Sequence, residues 1–304
     1  MVHLHHVRRP ALRLLPRAVY SRGREARHDE RTCVPWGIVG RRVKAVILCG
    51  GAGTRIRDVA DDIPKPMIRI GEWPVLWHIM KIYASHGITD FVLCLGYKSW
   101  TIKEFFLNYR SLTADITVDL GRHDGIELHN SPPEDWRVTL AETGEHVQTG
   151  ARVRRIKSYV EQAELFCLTY GDGVADIDIT ALIAFHKGHG RIATVTGVRP
   201  PGRFGVMNVA EDGECPLVHR FEEKPQTTEG LINGGFFVFD QRLWDYLTDD
   251  PSLILEHEPL ANLARDGQLV LYEHRGFWQP MDTYREWKLL NELWASGEAP
   301  WNTW

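Results

Sequence analysis

An apolar run from Lys44 to Cys49 ends abruptly in Gly50-Gly51-Ala52-Gly53-Thr54-Arg55, and this junction constrains the fold more than any other stretch. A run that is continuously apolar, rather than alternating, reads as a strand covered on both faces, as in a parallel sheet. The glycines permit positive φ and bring bare N–H groups close to a bound anion. Arg55 offers a forked cation suited to phosphate oxygens. Lys65 follows between Pro64 and Pro66, whose fixed φ angles stiffen the segment that presents it. The combination reads as a cradle for a nucleoside triphosphate. A lone G-G-x-G is a weak signal that an ordinary turn also explains, and it matches neither the P-loop nor the dinucleotide fingerprint. The specificity lies in strand, G-G-x-G-T-R and Pro-Lys-Pro occurring together.

The chain continues in alternation. Val75 to His86 has helical apolar spacing and stops at Gly87, Phe91 to Leu95 is a buried strand, and Ser99 to Tyr109 reads as a helix. This β-α-β-α order opens a doubly wound sheet. His78 and His86 are expected as core or helix-end residues rather than ligands. From Ile116 to Gly150 the pattern shortens to alternating strands, with a hairpin at Asp124-Gly125. Thr149-Gly150-Ala151-Arg152 opens a helix to about Glu161. Its Thr-Gly step serves either as a phosphate or base contact or as a cap, and local pattern favours the cap.

Leu165 to Tyr170 is a third apolar strand, and Gly171-Asp172-Gly173 follows. A carboxylate there lies where open α/β sheets bind ligands, and magnesium takes one or two carboxylates plus substrate phosphates. Asp172 is thus a candidate metal ligand, although Gly-Asp-Gly also makes a plain turn. Asp176 and Asp178 are expected to cap the helix Ile179 to His189. Strands follow at Ala193 to Val198, Val206 to Val209 and Val218 to Phe221. The last runs into Glu222-Glu223-Lys224-Pro225, a second anion site or, taken alone, more often a surface turn. Asn233-Gly234-Gly235 precedes the strand Phe236 to Phe239, and paired glycines there imply close backbone approach. A helix at Glu258 to Arg265 and a strand at Leu269 to Glu273 lead to the last helix, Thr283 to Ala295. Asp282 stands just before it, where local pattern makes it an N-cap. Trp287, Trp294, Trp301 and Trp304 imply packing onto the body or a subunit contact.

The 304 residues suffice for a large core and contain no apolar run of membrane-spanning length. Five scattered cysteines without C-x-x-C argue against a zinc site and suit a reducing, cytoplasmic setting. The net charge of −4 is uneven: residues 1–43 carry ten arginines against three acids. Pro10, Pro16 and Pro35 interrupt this leader, and its hydrophobics lack sustained period. Residues 1–42 are therefore expected to be disordered or a non-native extension. Residues 43–304 are then the catalytic domain.

The stretches KAVILCGGAGTR, PKPM, TYGDGVADID, PPGRFG, EEKP, INGGFFV and GFWQPMDT resemble those of sugar-1-phosphate nucleotidyltransferases, and the likeness runs from Val43 to Trp304. It implies a Rossmann-like α/β nucleotidyltransferase fold: a mostly parallel central sheet with helices on both faces and a small β-rich insertion. The chain is most similar to members that transfer CMP from CTP to glucose 1-phosphate, giving CDP-glucose and pyrophosphate. By resemblance, Leu48, Cys49, Gly50, Gly51, Ala52, Gly53, Thr54 and Arg55 wrap the nucleotide, and Lys65 meets its phosphates. Thr149, Arg152 and Gly171 belong to the nucleotide pocket. Asp172 and Asp282 share Mg2+. Lys224 holds the sugar phosphate, with Glu223, Asn233 and Gly234 near the sugar. Arg55, Lys65, Asp172 and Asp282 form the implied catalytic set. Relatives assemble as homo-oligomers. In the family that the chain resembles, the protein begins at the residue before the first strand, here Val43, whose codon can serve as a bacterial start. Val43 is therefore expected as the native first residue, and intact mass of the natively expressed protein decides this. Two departures, Ala52 in the loop and Ala151 where relatives often carry glycine, touch the pocket that chooses the base.

Other readings compete. A thymidylyl- or uridylyltransferase of the same fold is the nearest, since the loop pattern does not select the base. A non-catalytic sugar-nucleotide regulator would be expected to lose a metal carboxylate or phosphate lysine, and Lys65, Asp172, Lys224 and Asp282 are all present. A nucleic-acid binder rests only on the leader's arginines, and no membrane partner is expected.

Overall fold

The computed structural model describes residues 43–51, 63–122, 125–130, 134–199, 206–209, 218–222 and 230–304. The run after the leader forms the strand Val43–Leu48, which pairs in parallel with Asp90–Leu95 on one side and Leu165–Tyr170 on the other. Its two-sided burial has a direct cause. Ala45 and Ile47 face a core shared with Ile79, Tyr83 and Leu182, while Val46 and Leu48 face a second core with Val153, Leu243 and Leu263. Helices thus cover both faces: Val75–Ser85 and Ile179–His189 on the first, Thr149–Arg155 and Glu258–Arg265 on the second. Neither side offers water, so polar alternation is absent from the sequence.

The sheet runs in space from Leu269–His274 through Ala193–Val198, Phe237–Asp240, Leu165–Tyr170, Val43–Leu48 and Asp90–Leu95 to Arg137–Glu142. Among the described strands of this sheet, only Phe237–Asp240 and the two-residue Ile232–Asn233 run antiparallel to their neighbours. The parallel pairings bring Leu48, Cys94 and Tyr170 into register, so several strands end along one edge.

Several expectations shift. The β-rich insertion is a hairpin of Asp115–Val118 and Ile126–His129, but Arg137–Glu142 leaves it to become a parallel edge strand of the main sheet. The helix expected from Thr149 to about Glu161 breaks at Ile156 into Thr149–Arg155 and Lys157–Val160. Ser99 to Tyr109 likewise ends at Leu107, with a short turn of helix at Tyr109–Thr113. Asp178 caps Ile179–His189 by accepting the Ala181 N–H, whereas Asp176 lies 3.0 Å from the His274 ring. Gly234 and Gly235 interrupt the strand between Asn233 and Phe237: a Cβ on Gly234 would lie 2.6 Å from Val198, and Gly235 has a φ of +77°.

The four tail tryptophans pack onto the body. Trp301 is fully buried, donates its indole N–H to His78 Nδ1 at 3.3 Å and stacks on Phe277. His78 Nε2 meets the Ile70 carbonyl at 3.0 Å. Burial drives the His78 imidazole down to about 4, against the weaker pull of that carbonyl, so it is a neutral core residue at physiological pH. Cys49, Cys94 and Cys167 are buried free thiols, the last two pushed up to about 12 mainly by burial. Among the described residues no helix is long and apolar enough to cross a membrane.

Candidate active site

A cavity of about 340 Å³ opens at the carboxyl edge of the central strands, where open α/β sheets bind ligands. Leu48, Gly50 and Gly51 line it from the end of the first strand, and Tyr170, Gly171 and Asp172 from the end of the third. Lys65 and Pro66 come from a short 3-10 turn, Thr149 and Arg152 from a helix start, and Asp282 from the C-terminal segment. Seven of the residues singled out for the nucleotide pocket meet at this one wall: Leu48, Gly50, Gly51, Lys65, Thr149, Arg152 and Gly171. Cys49 is buried just behind it. Ala52, Gly53, Thr54 and Arg55 lie outside the described residues, as do Glu223 and Lys224.

Lys65 is the electrostatic centre. Its Nζ donates to Asp172 Oδ2 and to Asp282 Oδ1, each at 2.5 Å. The carboxylates are 110 residues apart in sequence, and a small ribbon brings them together. Gly173–Ala175 pairs antiparallel with Trp278–Pro280, and Met281 N–H donates to the Asp172 carbonyl at 2.8 Å. Burial opposes the Lys65 charge, but the Asp172 and Asp282 carboxylates outweigh it and hold the ammonium above the ordinary lysine value. It is therefore charged at neutral pH.

The two carboxylate oxygens can be no farther apart than the sum of their distances to Nζ, and the Lys65 ammonium bridges them. No cluster of three or more metal-binding side chains occurs among the described residues. Two carboxylates beside a cavity suit a hard divalent ion that completes its shell with phosphate oxygens, not a zinc or calcium cage.

Local pattern misassigned two residues. Asp282 does not cap the last helix, Tyr284–Ala295. Thr283 does, its hydroxyl accepting from Glu286 N–H while the Glu286 carboxylate accepts from Thr283 N–H. This reciprocal cap lets the Asp282 side chain turn to Lys65. Thr149 is not a cap either: Gln148 is the N-cap residue, and the Thr149 hydroxyl donates to Glu256 Oε2 at 2.6 Å.

Arg152 lines the cavity yet spends its guanidinium on protein. It donates to the carbonyls of Leu95, Gly144, Gly50 and Glu145 and to the Thr143 hydroxyl, at 2.7–3.1 Å. A Cβ on Gly50 would lie 2.1 Å from that guanidinium, so the first glycine of the loop makes room for Arg152. Asn233 and Gly234 do not line the cavity. Asn233 reaches it through the Tyr170 hydroxyl, to which its amide donates at 2.9 Å. Glu256 went unread in the sequence, where Leu-Glu-His carries no motif, and only the fold sets it between Thr149 and Tyr170.

Known proteins resemble this chain in sequence and in fold. The sequence profile described as nucleotidyl transferase matches residues 44–279. The chain is 48% identical over 262 residues to the glucose-1-phosphate cytidylyltransferase of Salmonella typhi, covering 86% of this chain and all of that protein. It is 45% identical, with the same coverage, to a probable glucose-1-phosphate cytidylyltransferase of Bacillus subtilis. Among solved structures, HddC from Yersinia pseudotuberculosis shares the fold, with a TM-score of 0.58 at 22% identity over 83% of this chain and 99% of that one. With a profile spanning most of the chain, and relatives matched along their whole length, the chain belongs to the nucleotidyl transferase family.

Proposed function

We infer that the protein transfers CMP from CTP to α-D-glucose 1-phosphate, releasing pyrophosphate and forming CDP-glucose. The observation that carries this reading is the 48% identity along the entire Salmonella typhi cytidylyltransferase. The catalytic unit is residues 43–304.

The sugar phosphate is already a nucleophile, so attack in line at the α-phosphorus requires alignment and charge neutralisation rather than a base. Asp172 and Asp282 would hold magnesium, which when bound neutralises developing charge on the phosphates. The Lys65 ammonium adds a fixed positive charge at the same wall, and Arg55 contributes another from the glycine loop. Thr149, Arg152 and Gly171 shape the nucleotide side. Lys224 would hold the phosphate of the sugar substrate, with Glu223, Asn233 and Gly234 near the sugar. The protein acts as a homo-oligomer; exposed Val118, Leu120 and Ile126 on the hairpin support a subunit contact there, and a monomeric mass by light scattering would refute it.

Competition of CTP, UTP, dTTP and ATP for glucose 1-phosphate tests the assignment. CDP-glucose is the expected dominant product, and preferential use of dTTP or UTP would replace the cytidylyl reading with another base on the same fold.

A further inference from the structure

A chain of side-chain hydrogen bonds links the cavity wall to Asn233, which the proposed function places near the sugar. The Thr149 hydroxyl donates to Glu256 Oε2, and the Tyr170 hydroxyl donates to Glu256 Oε1, both at 2.6 Å. The Asn233 amide then donates to the Tyr170 hydroxyl at 2.9 Å, and Asn233 Oδ1 accepts the Gly235 N–H at 2.9 Å. Thr149 stands on the nucleotide side of the proposed site, and Asn233 on the sugar side. Among the described residues, Glu256 is the one that bonds to both Thr149 and Tyr170, the two cavity-lining members of this path.

The loop that carries Glu256 is docked firmly. Pro251 and Leu253 carbonyls accept from Gln148 and Ala151 N–H, and Leu255 N–H donates back to the Thr149 hydroxyl. Gly150 permits this closeness, since a Cβ there would lie 2.9–3.0 Å from Leu253 and the Leu255 nitrogen. The Thr149 hydroxyl thus accepts from one neighbour and donates to the next, which fixes the direction of its proton. Burial and the Glu256 carboxylate keep the Tyr170 phenol protonated far above neutrality, so the donor to Glu256 persists. Chains of hydrogen bonds in a partly desolvated wall polarise one another, and a ligand that orders one end lowers the entropy cost of ordering the other.

We propose that Glu256 is a positioning residue that couples the nucleotide and sugar-phosphate half-sites through Thr149 and Tyr170, so that each substrate binds more tightly when the other is present. This rests on the cytidylyltransferase reading. By reciprocity, the factor by which nucleotide tightens sugar phosphate equals the factor in the reverse direction.

The test is calorimetry on the full chain with magnesium and α,β-methylene-CTP, in which the bond to be broken is blocked. Kd for glucose 1-phosphate is measured with and without saturating analogue, in wild type, Glu256→Gln and Tyr170→Phe. Wild type is expected to show at least about fivefold tightening, the lower end of ordinary coupling factors. Both variants should fall below about twofold. A purely structural role would lower the active fraction but leave the ratio of the two Kd values unchanged. Undiminished coupling in Glu256→Gln, no coupling in wild type, or a loss confined to the nucleotide Kd would each overturn the proposal. If Glu256→Gln fails to fold, Tyr170→Phe breaks the path at its other joint and decides alone. No binding of the CTP analogue to wild type would instead overturn the cytidylyltransferase reading, together with the coupling that rests on it.

Discussion

The C-terminal segment returns to the first half of the chain at two places, and the contacts are opposite in kind. At one, the Asp282 carboxylate meets the Lys65 ammonium beside a cavity, with the acid about a quarter exposed. At the other, Trp287, Trp294, Trp301 and Trp304 cover the segment Arg69 to Lys81 and enclose a neutral His78. A partly hydrated ion pair adds little net stability, because its attraction is offset by lost hydration. Buried aromatic area removed from water is strongly stabilising. The tail therefore anchors itself with tryptophan and delivers its aspartate without asking that carboxylate to hold the fold together.

The comparison breaks if the aromatic contact proves dispensable. Trp301→Ala should cost about 3–5 kcal/mol in chemical denaturation, with substrate KM values unchanged in the folded fraction. A loss under about 1 kcal/mol would show that the anchor lies elsewhere. The polar contact should behave the other way. Lys65→Ala is expected to lower turnover about 10²–10³-fold while shifting the melting temperature little. Turnover within a few-fold of wild type would remove Lys65 from the chemistry.

A third outcome concerns pH. The folded His78 value of about 4 lies below its ordinary 6.5, so the unfolded chain takes up a proton first as pH falls. Stability is unaffected by this group above about pH 6.5, falls as pH drops from there, and levels off below about 4, a loss of about 3 kcal/mol. His186, also pulled down to about 4 by burial, shares the window. Replacing His78 by Gln should remove one of these two contributions, and an unchanged pH slope of the unfolding free energy would contradict its buried, neutral state. The smallest effect separates adjacent residues. Thr283→Ala should cost about 1 kcal/mol by loss of a cap. Asp282→Asn leaves that cap and should instead weaken the magnesium dependence of turnover; an unchanged magnesium titration would show that it holds no metal.

Much of the scaffold could be read directly. The runs at Lys44 to Cys49, Phe91 to Leu95 and Leu165 to Tyr170 are apolar because each strand has a core on either face, and that requirement is written locally. The helix end at Gly87 was equally legible, its φ positive. The Arg137–Glu142 edge strand was not, because its short run of Val138 and Leu140 between polar neighbours reads the same whether it pairs with a hairpin or a central sheet. Glu256 and its link to Thr149 and Tyr170 escaped for a related reason: nothing within a few residues of any of them signals the other two.

By itself, then, the amino-acid order determined the central strands, the helical stretches and the candidate ligating side chains around the glycine turn, since periodicity, backbone freedom and side-chain chemistry act over a few neighbours. Only the tertiary structure decided that Thr283 rather than Asp282 caps the last helix, that Arg152 braces backbone carbonyls, and that Asp172 and Asp282 converge on one ammonium. Those outcomes depend on which distant segments pair. The ribbon of Gly173–Ala175 with Trp278–Pro280 is a long-range pairing whose two halves carry no matching local sign.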